Sequence, residues 1–256
     1  MLRRVALWPQ EQCNHSLIRL SRAYTDMVSV QNKQQGIGLI ELMIAMAISL
    51  FLMIGLGTIY YGMRQNSMAR SGLSQLQDQQ RTAMILIAGA IQQAGFFPTP
   101  LTDTNATVFP ATQLPFRTVG TPVTGTTSSF SVRFVTATAV PMATCTGMSS
   151  SKAIYIDTYS ISTDGSNTLN CAQTVNGVKS TTQSLVSGVS SMTVLFGVDT
   201  NGDGSAFQYQ VASTVPNWNF VKSVQVTLNF KNPLSGQPGQ PATIPFTRTI
   251  GLMNVL

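Results

Sequence analysis

Residues 42–63 carry no charge, and hydrophobic side chains run around every side of the helix they would form. Twenty-two residues at 1.5 Å rise span roughly 33 Å, enough to cross a bilayer core of about 30 Å. The pattern then changes. Over 64–95, Leu73, Leu76, Met84, Ile87 and Ile91 recur at spacings of 3, 4 and 8 with Gln, Arg and Asp between them, which predicts an amphipathic helix. Gly95 followed by Phe96-Phe97-Pro98 is a fitting stop. A single helix from residue 37 to about 94 would be ~87 Å long. Gly55, Gly57 and Gly62 lie where its halves join, suited either to close helix packing or to a softened stretch.

Beyond Pro98 the period falls to two. Apolar and polar residues alternate over 129–136, 153–160, 192–198, 221–230 and 244–250, which predicts strands rich in Val, Thr, Phe and Tyr. Residues 98–128 and 140–151 are rich in Thr, Ser, Gly and Pro and read as long surface loops. About 160 residues suffice for one core, so one β-rich domain is expected.

Glu41 breaks the apolar pattern. A carboxylate near a helix in hydrocarbon costs on the order of 2.5–3.5 kcal/mol, so it needs a partner or a role. Upstream stand Lys33 and Gly36, then Ile37-Gly38-Leu39-Ile40 and Glu41 itself. This arrangement resembles the processing site of type IV prepilins. The resemblance implies cleavage between Gly36 and Ile37 by a prepilin peptidase, methylation of the new Ile37 amine, and packing of the apolar helix into a filament. Ile37 stands where most members have Phe, and Thr58 where major pilins often have Pro, which favours a minor subunit. A secretory signal peptide, a buried core helix and a simple anchor are the competing readings; the first should hold no Glu.

The proposed cut divides the composition as well. The single His, His15, lies in residues 1–36, and Glu41 is the one Glu beyond them, so histidine triads and imidazole zinc sites are excluded for residues 37–256. The six Asp there stand in no recognisable catalytic motif, and no enzyme activity is expected. Of the net charge of +6, half belongs to residues 1–36. The ten Lys and Arg that follow are scattered singly, so no specific nucleic-acid partner is predicted. Met27 offers an alternative start that would leave a ten-residue leader.

Cys145 and Cys171 are the two cysteines past the cut. Outside the cytoplasm they should form a disulfide; the alternative is two unpaired, small buried residues. Together with the prepilin-like site they place residue 37 inside and the β-rich domain in the periplasm, tethered to the inner membrane before assembly and on the cell-surface pilus after it.

Asp199-Thr200-Asn201-Gly202-Asp203-Gly204 has oxygen ligands at alternate positions, as in the opening of a calcium loop. Gln210 stands where a calcium loop wants a bidentate Glu, and the flanks read as strands. An Asn-Gly/Asp-Gly turn is the other reading, and calcium is the only candidate cofactor.

Residues 185–204, 218–230 and 246–252 extend the resemblance to the PilW family of minor pilins, which prime type IV pili. The resemblance implies an α+β, pilin-like fold: leader 1–36, transmembrane half-helix 37–63, amphipathic half-helix 64–97 and a β-rich domain 98–256 with an antiparallel sheet. Its partners would be the peptidase and other minor and major pilins. A type II secretion minor pseudopilin of the J type, or a membrane-tethered adhesin that never polymerises, are the alternatives.

Overall fold

The computed structural model describes residues 38–111, 114–138, 140–149 and 151–255. Gly36, Ile37 and the leader lie outside them. The chain is α+β. Helix α1 (Leu39–Gln93) comes first, and everything after it is dominated by antiparallel strands.

The chain divides into two compact units at Tyr61/Gly62, inside α1. In the first unit every residue from Gly38 to Tyr61 is exposed, and Leu39, Phe51 and Met53 are each more than three-quarters so. Among the described residues, the apolar window of this helix is buried against nothing. A Cβ added at Gly55, Gly57 or Gly62 would meet nothing within 4 Å.

In the second unit α1 buries the stripe that its spacing predicts. Leu76, Met84, Ile87 and Ile91 are in the core with Ala83, Ala88 and Ala90, and Leu73 packs at its margin. The helix ends at Gly95, whose φ of 81° is a left-handed conformation that glycine tolerates at a helix end. A side chain there would also approach the Asn254 carbonyl. Asn254 in turn donates from Nδ2 to the carbonyls of Gln92 (3.1 Å) and Ala94 (3.3 Å), satisfying acceptors that a helix end leaves open.

After a four-residue helical turn, α2 (Asn105–Val108), the strands follow in order: β1 (Val123–Gly125), β2 (Ser129–Val135), the short ribbon β3 (Ala143–Thr144) and β4 (Gly147–Met148), β5 (Ile154–Ile161), β6 (Thr168–Val175), β7 (Val178–Ser187), β8 (Val189–Val198), β9 (Gln208–Gln210), β10 (Val221–Lys231) and β11 (Thr243–Gly251). They form a five-stranded sheet ordered β1-β2-β5-β6-β7 and a four-stranded sheet ordered β11-β10-β8-β9. The α1 stripe shares one core with Phe130, Val132, Leu169 and Cys171 of the first sheet and Val194, Phe196, Val226 and Leu228 of the second.

The five strands predicted from alternation correspond to β2, β5, β8, β10 and β11, with ends within a few residues. Residues 98–128 differ from the loop expectation. Phe109, Phe116, Thr121 and Val123 in this segment are buried, because the chain folds over the second face of β2. Strand β2 is therefore buried on both faces from Phe130 onward.

Candidate functional site

The membrane-length part of α1 presents one carboxylate. Glu41 lies in the first helical turn, exposed, with its backbone N–H donating to the Gly38 carbonyl at 2.9 Å. A carboxylate at this end is favoured by the helix dipole. Around and beyond it stand exposed Leu, Ile, Met and Phe side chains, so the described residues of the first unit are an apolar surface carrying a single acidic group.

A second cluster is built by strand register. On one face of the five-stranded sheet β2 contributes Phe130, Val132 and Phe134, opposite Tyr159, Asp157 and Tyr155 of β5. Strand β6 continues these rows with Cys171, Gln173 and Val175. Asp157 is thus at the centre of a grid whose outer rows are aromatic: Phe130 stacks on Tyr159 with ring centroids 5.0 Å apart, and Phe134 on Tyr155 at 5.8 Å.

Over the grid lies the turn between β3 and β4. Its Cys145 is bonded to Cys171, the pairing expected from sequence, with Cα atoms 6.1 Å apart. The Cys145 N–H donates to Asp157 Oδ2 at 3.0 Å, Gln173 Nε2 donates to Oδ1 at 3.3 Å, and the Thr146 hydroxyl donates to Gln173 Oε1 at 2.8 Å. Asp157 is fully buried, and burial raises its carboxyl above the usual range, opposed only in part by the hydrogen bonds from Cys145 and Gln173. Tyr159 is raised as well, by burial and then by the Asp157 charge.

The opposite face of β2 holds a fully buried Arg133. Its Nε donates to the Thr121 carbonyl, Nη1 to the Pro110 carbonyl (2.7 Å), and Nη2 to the carbonyls of Thr118 (3.1 Å) and Phe109 (3.4 Å) and to Thr121 Oγ1 (3.2 Å). The guanidinium also lies over the Phe109 ring. Every one of these partners is neutral, and desolvation brings the pKa down to about 10. This group pins the 98–122 segment to the sheet; nothing in the residue pattern marked Arg133, Asp157 or Gln173 beforehand.

Asp199, Asn201 and Asp203 share the turn between β8 and β9. Asp199 accepts the backbone N–H groups of Gly202 (2.6 Å) and Gly204 (2.9 Å), one on each oxygen. Asn201 Nδ2 donates to Asp203 Oδ2 (2.9 Å), and the Ser205 hydroxyl and N–H both donate to Asp203 Oδ1. The hydrogen bonds from Ser205 lower the Asp203 carboxyl. Gly202 and Gly204 take the positive φ values that such a turn requires.

Two family signatures match the chain. The prokaryotic N-terminal methylation motif matches residues 31–57, covering Gly36 to Glu41 and the first part of α1. The family described as type IV pilus-assembly protein W matches residues 158–249, from within β5 to within β11. Comparison with curated proteins finds no match.

Proposed function

We propose that this chain, a PilW-type pilin with a prepilin-type N-terminal motif, is a minor pilin that contributes to starting or assembling a type IV pilus. The family is structural, and the reading assigns no catalysis to the chain. Prepilin peptidase would cut after Gly36. The apolar helix would hold the subunit in the inner membrane with its β-rich domain in the periplasm, then pass into the filament among other minor and major pilins.

One observation carries the reading: an apolar helical surface of bilayer length that is buried against none of the described residues, with one carboxylate in its first turn. In a filament the apolar surface has helices to pack against, and Glu41 can neutralise the Ile37 amine of a neighbouring subunit. The match to pilus-assembly protein W across most of the strands favours a pilus over a type II secretion pseudopilin.

Glu41→Gln tests it. The amide keeps size and hydrogen bonding but removes the charge, so membrane insertion and cleavage should survive. Incorporation should fail, because an amine left uncompensated in an apolar core costs about 3–5 kcal/mol. Immunoblots of membranes and sheared pili, in a strain lacking the native copy, should find processed subunit in the first and none in the second. Parental amounts in the sheared fraction would overturn the pairing. Gly36→Val, which crowds the cut, should leave full-length precursor.

A further inference from the structure

We propose that Asp157 is the proton acceptor through which this chain closes its own disulfide, with Cys145 as the sulfur that meets the oxidant and Cys171 as the one that resolves it.

The arrangement follows from the sheet. Asp157 and Cys171 lie on one face of adjacent strands at diagonal positions, since Asp157 pairs with Gln173 and Tyr159 with Cys171. Diagonal neighbours are within reach of each other's side chains. A carboxylate oxygen and both sulfurs fall within 4.8 Å of one another. The disulfide joins the ribbon to β6 and does not link β5 to β6, so the pairing that sets the carboxylate beside Cys171 can form before closure.

Access differs between the sulfurs. Cys171 is fully buried in β6, whereas Cys145 is half-buried in the turn of the β3–β4 ribbon. A disulfide oxidant, small or protein-borne, therefore reaches Cys145 first. The Cys145 thiolate attacks it, forming a mixed disulfide and releasing one thiol of the oxidant. Cys171 must then act as a nucleophile where water does not reach, and a free thiolate there is disfavoured by desolvation. Asp157 takes the thiol proton as Cys171 Sγ attacks Cys145 Sγ; the bond to the oxidant breaks, the second oxidant thiolate leaves and takes a proton from water, and Asp157 returns its own proton to the solvent. The two cysteines lose two electrons and two protons, and the oxidant gains them. The N–H that Cys145 gives to Asp157 Oδ2 and the Thr146–Gln173 bond dock the ribbon for this attack.

Among the described residues, the titratable groups around Asp157 are Tyr155 and Tyr159 on its own strand, Cys171 on β6 and Cys145 on the ribbon; Val132 faces it from β2. A proton acceptor of this kind contributes about 10²–10⁴-fold in other settings.

The test uses the full chain in detergent, reduced under native conditions, freed of reductant and mixed with oxidised glutathione. Acid quenching and mass spectrometry separate the glutathione adduct from the closed form. Closure of the adduct should slow at least ~10-fold in Asp157→Asn at pH 7. In the parent it should stay level as the pH falls below the thiol's range and drop only where Asp157 takes up a proton, whereas the Asn variant, which must ionise Cys171 unaided, should slow continuously over the same range. Gln173→Ala, which leaves the carboxylate in place, should keep the level stretch. Cys171→Ser should accumulate the Cys145 adduct, and Cys145→Ser should gain glutathione far more slowly.

Closure of Asp157→Asn at the parental rate would overturn the proposal. So would a parental closing step that slows continuously below the thiol's range, as an unassisted thiol does, which needs no variant to fold, or faster glutathione addition at Cys171 than at Cys145.

Discussion

The Arg133 guanidinium lies over the Phe116 ring, 4.3 Å from its centroid, although the two residues belong to a strand and to the connecting segment before it. The ring covers one side of the cation while the carbonyls of Phe109, Pro110, Thr118 and Thr121 take its N–H groups. The connection thereby finds partners for its backbone without forming a sheet.

Arg133→Lys should show how much depends on the planar fork. An ammonium has three donors and cannot reach all these carbonyls, so buried acceptors lose their partners at about 1–3 kcal/mol each. A total loss of about 2–4 kcal/mol is expected, read as a drop of roughly 5–15 °C in the thermal midpoint. An unchanged midpoint would mean that the segment is held by its aromatic residues alone.

Asp157 sets a pH dependence with a definite sign. Its carboxyl is raised by burial in the folded chain, so between the ordinary value of 3.8 and the raised one the folded state binds the extra proton. Stability from this group is greatest in acid and declines as the pH rises through that window. The midpoint of the parent minus that of Asp157→Asn should therefore fall between pH 4 and neutrality. A difference that stays level, or grows with pH, would contradict the burial argument.

The Asp199–Gly204 turn gives a prediction about calcium. Both Asp199 oxygens already accept backbone N–H groups of the turn, and Asp203 is held by Asn201 and Ser205. We expect calcium at about 1 mM to leave the thermal midpoint unchanged within ~1 °C. A site with a dissociation constant of about 10 µM would add ~2.7 kcal/mol at that concentration and raise the midpoint by several degrees.

The long helix and five of the strands were legible because each has a strong period: no charge over 42–63, a 3–4 stripe through Ile91, and alternation in the strands. Strands β6 and β7 were harder. Thr, Ser and Gln fill many of their positions, and β7 is an edge strand whose residues are mostly exposed, so little apolar contrast remains. Asn176-Gly177 was the usable signal. Both residues have positive φ and join β6 to β7 in the turn that favours a two-residue hairpin.

The disulfide was legible from compartment and number, but its neighbour was not. Asp157 sits at an alternating position of a predicted strand, where an acid normally faces water; only the β2–β5–β6 register and the ribbon above it make the position a buried one. The 98–122 segment misled for a related reason. Its composition is that of a surface loop, while its burial comes from Arg133, a residue beyond the segment itself.

Asn254 closes the helix end from 160 residues downstream of Ala94. While the chain is still being synthesised, the last carbonyls of α1 have no such donor, and the Gly95 turn lacks the segment that walls it in. The domain cannot reach its final form strand by strand as it appears; its helix is finished from the far end, after β11 has found β10. Completion of the chain would then be the event that permits folding, and any cut between β11 and Asn254 would leave a helix whose end stays open.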